Sequence, residues 1–306
     1  MPRISGFTFV RNGFDFAYPF EASIRSILPI VDEMIVVVGD SVDGTREAVE
    51  AIGSPKIKII DSVWDEEERK SGKIFARQSN IGLENISGDW GFHLQVDEVL
   101  HESARDEILK CVQAAEASDE IDGILFPFLH FWGDYSHIRN TRATHRREVR
   151  LFKNGRNIFS YRDSQGFRKY SSKQAYEAGE EGEKLKVLLA QVPVYHYSYT
   201  RNPRLMKKKA NYFHRFWHGD DWLKKNTDTR AFDFNEVDRL EFFDGSHPVY
   251  MKEVIAAKDW DFEYDPSKSV MSLKDRLLDA VERKTGKRLF EYRNYILKGR
   301  CLVKKS

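Results

Sequence analysis

The chain has 306 residues, 41% hydrophobic and 13% aromatic, which supplies a sizeable core and excludes disorder. Its 49 basic and 48 acidic residues leave a formal charge of +1, which excludes the broad positive field of a general nucleic-acid binder. Cys111 and Cys301 are the only cysteines and read as reduced thiols of a reducing compartment, a single disulfide being the alternative.

In chain order, residues 4–10 form a β-rich run ending at the turn signal Arg11-Asn12-Gly13. Residues 21–28 have helical spacing, and Pro29 closes the helix because proline disfavours helical geometry in the residue before it. Residues 34–38 are continuously apolar, as in a strand buried on both faces. A helix to about residue 52 follows, with Asp43 or Thr45 as its N-cap. A strand over 56–60, a helix over 73–85 and a strand over 90–94 complete a β-α-β-α-β-α-β order. That order predicts an open, mostly parallel sheet with helices on both faces. Ligands in such sheets bind beyond the carboxyl ends of the strands, where the loops 11–15, 39–45 and 95–102 fall.

Beyond a helix near 103–117, strands are expected at 123–132, 148–152 and 191–199. Residues 161–183 read as a mobile polar loop, and residues 273–302 as one or two amphipathic helices. The expected organisation is a domain over 1–200 and a mostly helical extension over 201–306 packed on it. The polar N-terminal segment does not read as a signal peptide, and no stretch approaches about 18 uninterrupted apolar residues. A soluble, cytoplasmic protein is expected, its membrane contact at most peripheral.

The strand at 90–94 runs into Gln95-Val96-Asp97-Glu98, which puts carboxylates at the mouth of the sheet. They suit Mg²⁺ or Mn²⁺ holding a diphosphate; alternatively they cap the next helix. Ala76-Arg77-Gln78-Ser79-Asn80-Ile81-Gly82, Gly88-Asp89-Trp90 and this acidic turn resemble glycosyltransferase family 2, which has a GT-A, Rossmann-like fold. The family's first acidic position is Gln95 here, which leaves Asp97 as the metal ligand. The run Val36-Val37-Val38-Gly39-Asp40-Ser41-Val42-Asp43-Gly44-Thr45 resembles the family's nucleoside-binding turn, with Val38-Gly39 in place of its acidic pair. Val194-Tyr195-His196-Tyr197 followed by Arg201 resembles a segment of one bacterial branch of the family.

The resemblance implies a glycosyltransferase acting on a nucleotide-sugar donor and a glycan or lipid-linked acceptor, with Mn²⁺ or Mg²⁺ as cofactor. It implies nucleotide contacts at Arg11, Asp40, Asp43, Arg77 and Gln95, and metal contacts at Asp97 and His196. His130, Trp132 and Arg201 are expected to touch acceptor or phosphate, the aromatics by stacking on sugar rings. Residues 146–152 also resemble a family strand on the acceptor side. A general base is expected among Asp163, Glu177, Glu180 and Glu181, since the family's usual base motif has no clean copy. Asp97→Asn is expected to abolish transfer at nearly unchanged melting temperature. The alternatives are a nucleotidyltransferase of the same fold and an inactive carbohydrate- or nucleotide-binding protein.

Overall fold

The computed structural model describes residues 1–65, 67, 68 and 72–301. Its first third alternates as the hydrophobic pattern dictates: β1 (Ile4–Val10), α1 (Phe20–Ile27), β2 (Glu33–Val38), α2 (Thr45–Ala51), β3 (Ile57–Asp61), α3 (Lys73–Glu84) and β4 (Trp90–His93). These four strands pair in the order β3-β2-β1-β4, all parallel.

The period of two divides the strands between two cores. Ile4, Val10, Val36, Trp90 and Phe92 pack with Ile24 and Ile27 of α1 on one face, and Phe7, Ile35 and Val37 pack with Leu83 of α3 on the other. Val36 and Val37 are fully buried, each contributing about 1.5–3 kcal/mol by leaving water. In α1, Phe20, Ile24 and Ile27 share the buried stripe, and the helix stops two residues short of Pro29.

Beyond β4 the sheet becomes mixed. β5 (Glu98–Leu100) and α4 (Arg105–Glu116) lead into the long β6 (Gly123–Trp132), the short β7 (His137–Ile138) and β8 (Arg147–Lys153). β8 lies antiparallel between β4 and β6. The segment expected to be a mobile loop instead holds β9 (Ile158–Ser160), β10 (Phe167–Lys169), α5 (Lys173–Glu177) and β11 (Glu183–Leu189). Phe167 and Tyr170 are buried there, so apolar anchors order a stretch whose composition is polar.

β12 (Val194–Tyr199) runs parallel to the second half of β6 and antiparallel to β5. After it come α6 (Pro203–His214), α7 (Asp220–Asn226), β13 (Glu241–Phe242), α8 (Lys252–Ala256), α9 (Leu273–Thr285) and β14 (Tyr295–Arg300). The helix at 273–285 meets expectation, but residues 295–300 are a strand parallel to β11, not helix. No described helix is long and apolar enough to cross a membrane.

Cys111 on α4 and Cys301 after β14 form a disulfide, with Cα atoms 5.3 Å apart. This corrects the expectation of two reduced thiols and removes the ground for placing the chain in a reducing compartment.

Candidate active site

Asp97 occupies the turn between β4 and β5, and backbone bonds hold it on both sides. Glu98 N–H donates to Gln95 O at 2.9 Å, and Tyr197 N–H donates to Asp97 O at 2.8 Å. Glu98 is fully buried, and its carboxylate takes a two-pronged bond from Arg150, Nη2 at 2.7 Å and Nε at 2.8 Å. Glu98 therefore supports the turn and is unavailable to a ligand.

Three basic side chains surround the Asp97 carboxylate. His196 Nε2 lies 3.6 Å from Oδ1 and Lys209 Nζ 3.6 Å from Oδ2, and the Arg201 guanidinium adds its field. Burial pushes the Asp97 carboxyl up, but these charges outweigh it and hold its pKa far below the carboxylate range. Burial and the Arg201 charge bring Lys209 down to about 7, against the pull of Asp97.

The hydrogen bonds assign the histidine tautomers. His130 Nε2 meets the His145 carbonyl at 2.7 Å and must donate to it. Burial, with His196 beside it, lowers His130 to about 3, so the ring is neutral and its Nδ1 is an acceptor. His196 Nδ1, 2.8 Å away, is then the donor, and His196 Nε2 is the atom left to face Asp97.

The expected metal ligands, Asp97 and His196, thus meet. Their surroundings offer Mn²⁺ or Mg²⁺ little else, however. Among the described residues no group of three His, Cys, Asp or Glu side chains converges there, so Asp97 and His196 would be the protein ligands, with water and phosphate oxygens supplying the rest. An ion bound to Oδ2 would also lie near the Lys209 ammonium. A divalent ion there would repel that ammonium and favour its neutral form.

The carboxyl ends of β1 and β2 form the second part of the site. Arg11 Nη2 pairs with Asp40 Oδ2 at 2.8 Å, Asp40 Oδ1 accepts from Trp64 N–H at 3.2 Å, and the guanidinium stands over the Trp64 ring at 5.3 Å. The glycine at position 39 has a steric reason. A Cβ on Gly39 would stand 2.7 Å from Trp64 Nε1. Asp43 is committed to the turn: it accepts from Thr45 N–H at 3.1 Å and from Asp15 N–H at 2.9 Å. The residue at the helix cap is Gly44, whose φ of 86° is open to glycine without strain.

Helix α6 and the residues after it roof this crevice. Arg11 donates to Tyr212 Oη at 3.0 Å, Phe213 stacks on Phe75 with centroids 5.6 Å apart, and Phe216 packs on Trp64. The cavity left beneath is about 50 Å³, lined by Phe9, Trp64, Phe75 and Tyr212 among others. Ligand pockets run to about 300–1,000 Å³, so this cavity is small beside them.

The remaining expected residues divide. Gln95 adjoins Asp97, its backbone bonded to Ser23 and Glu98. Arg77 is exposed on α3 and pairs with Glu68 at 2.6 Å, outside the crevice. Trp132 is buried against Tyr199, with its N–H bonded to Phe234 O, so it is core and not a sugar platform. Asp163 abuts Gly72 at the start of α3, on the crevice side, and burial raises its pKa. Glu177, Glu180 and Glu181 are exposed on and after α5. Lys173 of α5 bonds Glu84 at the far end of α3, so that helix lies toward the opposite end of the sheet.

Glu148 on β8 is a further buried carboxyl, not among the residues expected from sequence. It borders a cavity of about 470 Å³ together with His145, Tyr161, Tyr292 and several arginines. Burial raises its carboxyl to about 7, with Arg150 opposing and Glu98 assisting. Phe290 and Tyr292, at the same cavity, are 89% and 71% exposed. The alternation of charged and apolar residues over 146–152 was the sequence signal that could have pointed to Glu148.

No protein-family model matches the sequence, and no curated protein matches it. Among solved structures the chain is similar to residues 1–349 of S. aureus TarS, at 13% identity and a TM-score of 0.40, covering 70% of this chain and 65% of that one. The chain therefore spans less than two thirds of that relative's length. The TarS fragment is also known in complex with UDP-GlcNAc, at 14% identity and the same TM-score. Glucosyl-3-phosphoglycerate synthase from Mycobacterium tuberculosis, in complex with Mn²⁺, UDP and phosphoglyceric acid, is similar at 21% identity and a TM-score of 0.29, over 43% of this chain and 44% of that one. Likeness this distant transfers neither fold nor reaction, and the site has to be read from its own residues.

Proposed function

We propose that the chain is a glycosyltransferase that moves a sugar from a nucleotide-activated donor to a hydroxyl of a glycan or lipid-linked acceptor. The observation that carries this reading is the convergence at one end of the parallel strands. There Asp97, ringed by His196, Lys209 and Arg201, adjoins the aromatic crevice headed by Arg11 and Asp40. Aromatic walls and an Arg-Asp pair suit a nucleoside, and buried cations beside them suit the diphosphate that follows.

The acceptor side is the larger cavity under Glu148. In the proposed step the acceptor oxygen bonds to the sugar's anomeric carbon as the bond from that carbon to the diphosphate oxygen breaks. The acceptor proton passes to Glu148, and the nucleoside diphosphate leaves with the pair of electrons. Phe290 and Tyr292 offer ring faces to sugar at the cavity's rim.

The test is a thermal-shift panel of nucleoside diphosphates and nucleotide sugars, followed by assay of nucleoside diphosphate release with glycan acceptors. A ligand that binds the folded state raises the melting temperature by mass action. The reading predicts a shift for one nucleotide class, lost in Asp40→Ala. No shift with any nucleotide would overturn it.

A further inference from the structure

We infer that Arg201 and Lys209 do at this site what a divalent metal would otherwise do: they bind the donor's diphosphate directly. The inference rests on the nucleotide-sugar reading and names the groups that hold the donor's charge.

Two independent observations carry it. Arg201 is 2% exposed, yet its Nε and Nη1 lack a well-formed hydrogen bond; Nη2 reaches Tyr197 O at 3.4 Å, and Tyr18 also lies against the guanidinium. A buried guanidinium with two nitrogens unmet is costly, and those donors are open to the oxygens of an incoming anion. Lys209, on α6, places its ammonium 3.6 Å from Asp97 Oδ2 and 3.0 Å from Ser198 Oγ, on the flank of Asp97 that a metal would need.

The charges agree with this arrangement. Arg201 and Lys209 both lie against the Tyr18 ring, at 4.8 and 4.9 Å from its centroid, so one side chain holds both cations near Asp97. One carboxylate, Asp97, faces both of them, so Arg201 keeps charge for an incoming anion, and that anion would favour the protonated form of Lys209. Gln95 fits the same logic. The neutral amide stands where the resembling family has its first metal-binding acid, and a site neutralised by lysine and arginine has no use for that second carboxylate.

The experiment measures binding to the full chain of inorganic pyrophosphate and of UDP, GDP, ADP, CDP and dTDP, by calorimetry and thermal shift. Each is run in EDTA and in Mn²⁺. The expected result is binding of pyrophosphate and of one nucleotide in EDTA, changed less than threefold by Mn²⁺. Arg201→Lys and Lys209→Met are each expected to weaken that binding at least tenfold, and Lys209→Arg to retain most of it.

Binding that appears only with Mn²⁺ overturns this inference and leaves the nucleotide-sugar reading standing. Pyrophosphate binding in EDTA without any nucleotide binding supports the anion site and overturns the nucleotide-sugar reading. Binding of nothing overturns both. If Lys209→Met does not fold, the EDTA arm on the unaltered chain decides.

Discussion

Arg150 grips both carboxylate oxygens of Glu98 inside the protein, one residue after the aspartate around which the site is built. The Arg150 guanidinium also stands over the Phe128 ring at 5.2 Å, so the pair is anchored to β6 as well as to β8. Removing one partner of a buried pair strands the other charge, which costs about 3–5 kcal/mol. Glu98→Gln and Arg150→Met should each lower stability by that amount in urea titration. Changing both residues should cost less than the sum of the two, as a double-mutant cycle would reveal.

Asp97→Asn is a second case where burial changes the forecast. From sequence the variant is expected to lose transfer and keep its melting temperature. With His196, Lys209 and Arg201 about it, the carboxylate is what makes two buried cations tolerable. The variant should lose activity and also about 3–5 kcal/mol of stability. Calorimetry of the two proteins side by side checks this, and an unchanged melting temperature would contradict the buried ion cluster.

The pH dependence of stability follows from groups with opposite signs. His130 titrates at about 3 folded and near 6.5 unfolded, so acid is taken up preferentially by the unfolded chain. Its share, about 5 kcal/mol, is fully present above pH 6.5 and is lost progressively as pH falls toward 3. Buried His93, held well below its usual value by burial, acts in the same direction. Glu148, raised to about 7 from 4.5, opposes them: the folded state gains about 3 kcal/mol as pH falls from 7 to 4.5. The chain should therefore lose stability gently to pH 4.5 and steeply below it. Glu148→Gln should make the loss between pH 7 and 4.5 steeper.

The same carboxyl sets the expected pH profile of the reaction. Glu148 accepts a proton only when ionised, so kcat should rise with pH through about 7. Glu148→Gln should lower kcat by roughly 10²–10⁴, the usual scale for loss of a general base, with donor binding unaltered. Lys209 titrates in the same range with the opposite effect, so an acid limb that persists unchanged in Glu148→Gln would remove Glu148 from this role.

The disulfide gives a stability prediction that is independent of the site. Cys111 and Cys301 are 190 residues apart in sequence, and closing so long a loop is worth about 5 kcal/mol in the chain-entropy account. Cys301→Ser should lower the melting temperature by about 5–10 °C. The unreduced protein in denaturant should show no reactive thiol.

Much of the fold was legible because its signals are local. The apolar run at Met34–Val38 and the alternation at Ile4–Val10 carry the parallel strands without help from distant residues. The expected helix at 73–85 differs from α3 by one residue at its end. Asp97, His196 and Arg201 were legible by resemblance, and the structure brings them together. Lys209 was not, because one lysine of three on α6 turns inward only once that helix lies across the sheet. Phe167–Lys169 and Tyr295–Arg300 were missed as strands because each is short, lacks a clear alternation and becomes a strand only through its partner. Glu148 was hidden among arginines, since a raised pKa arises from enclosure by β6 and the C-terminal segment, neither of which is its neighbour in sequence.

The pairing of β14 with β11 also bears on how the molecule is made. Leu185–Leu189 finds its neighbour only when Tyr295–Arg300 has left the ribosome, more than a hundred residues later. Until then the edge of β11 stands open, with an unpaired row of N–H and C=O groups that another nascent chain can join. Truncation before residue 295 should accordingly yield a species that aggregates, although every residue of the crevice and of the Asp97 cluster would still be present.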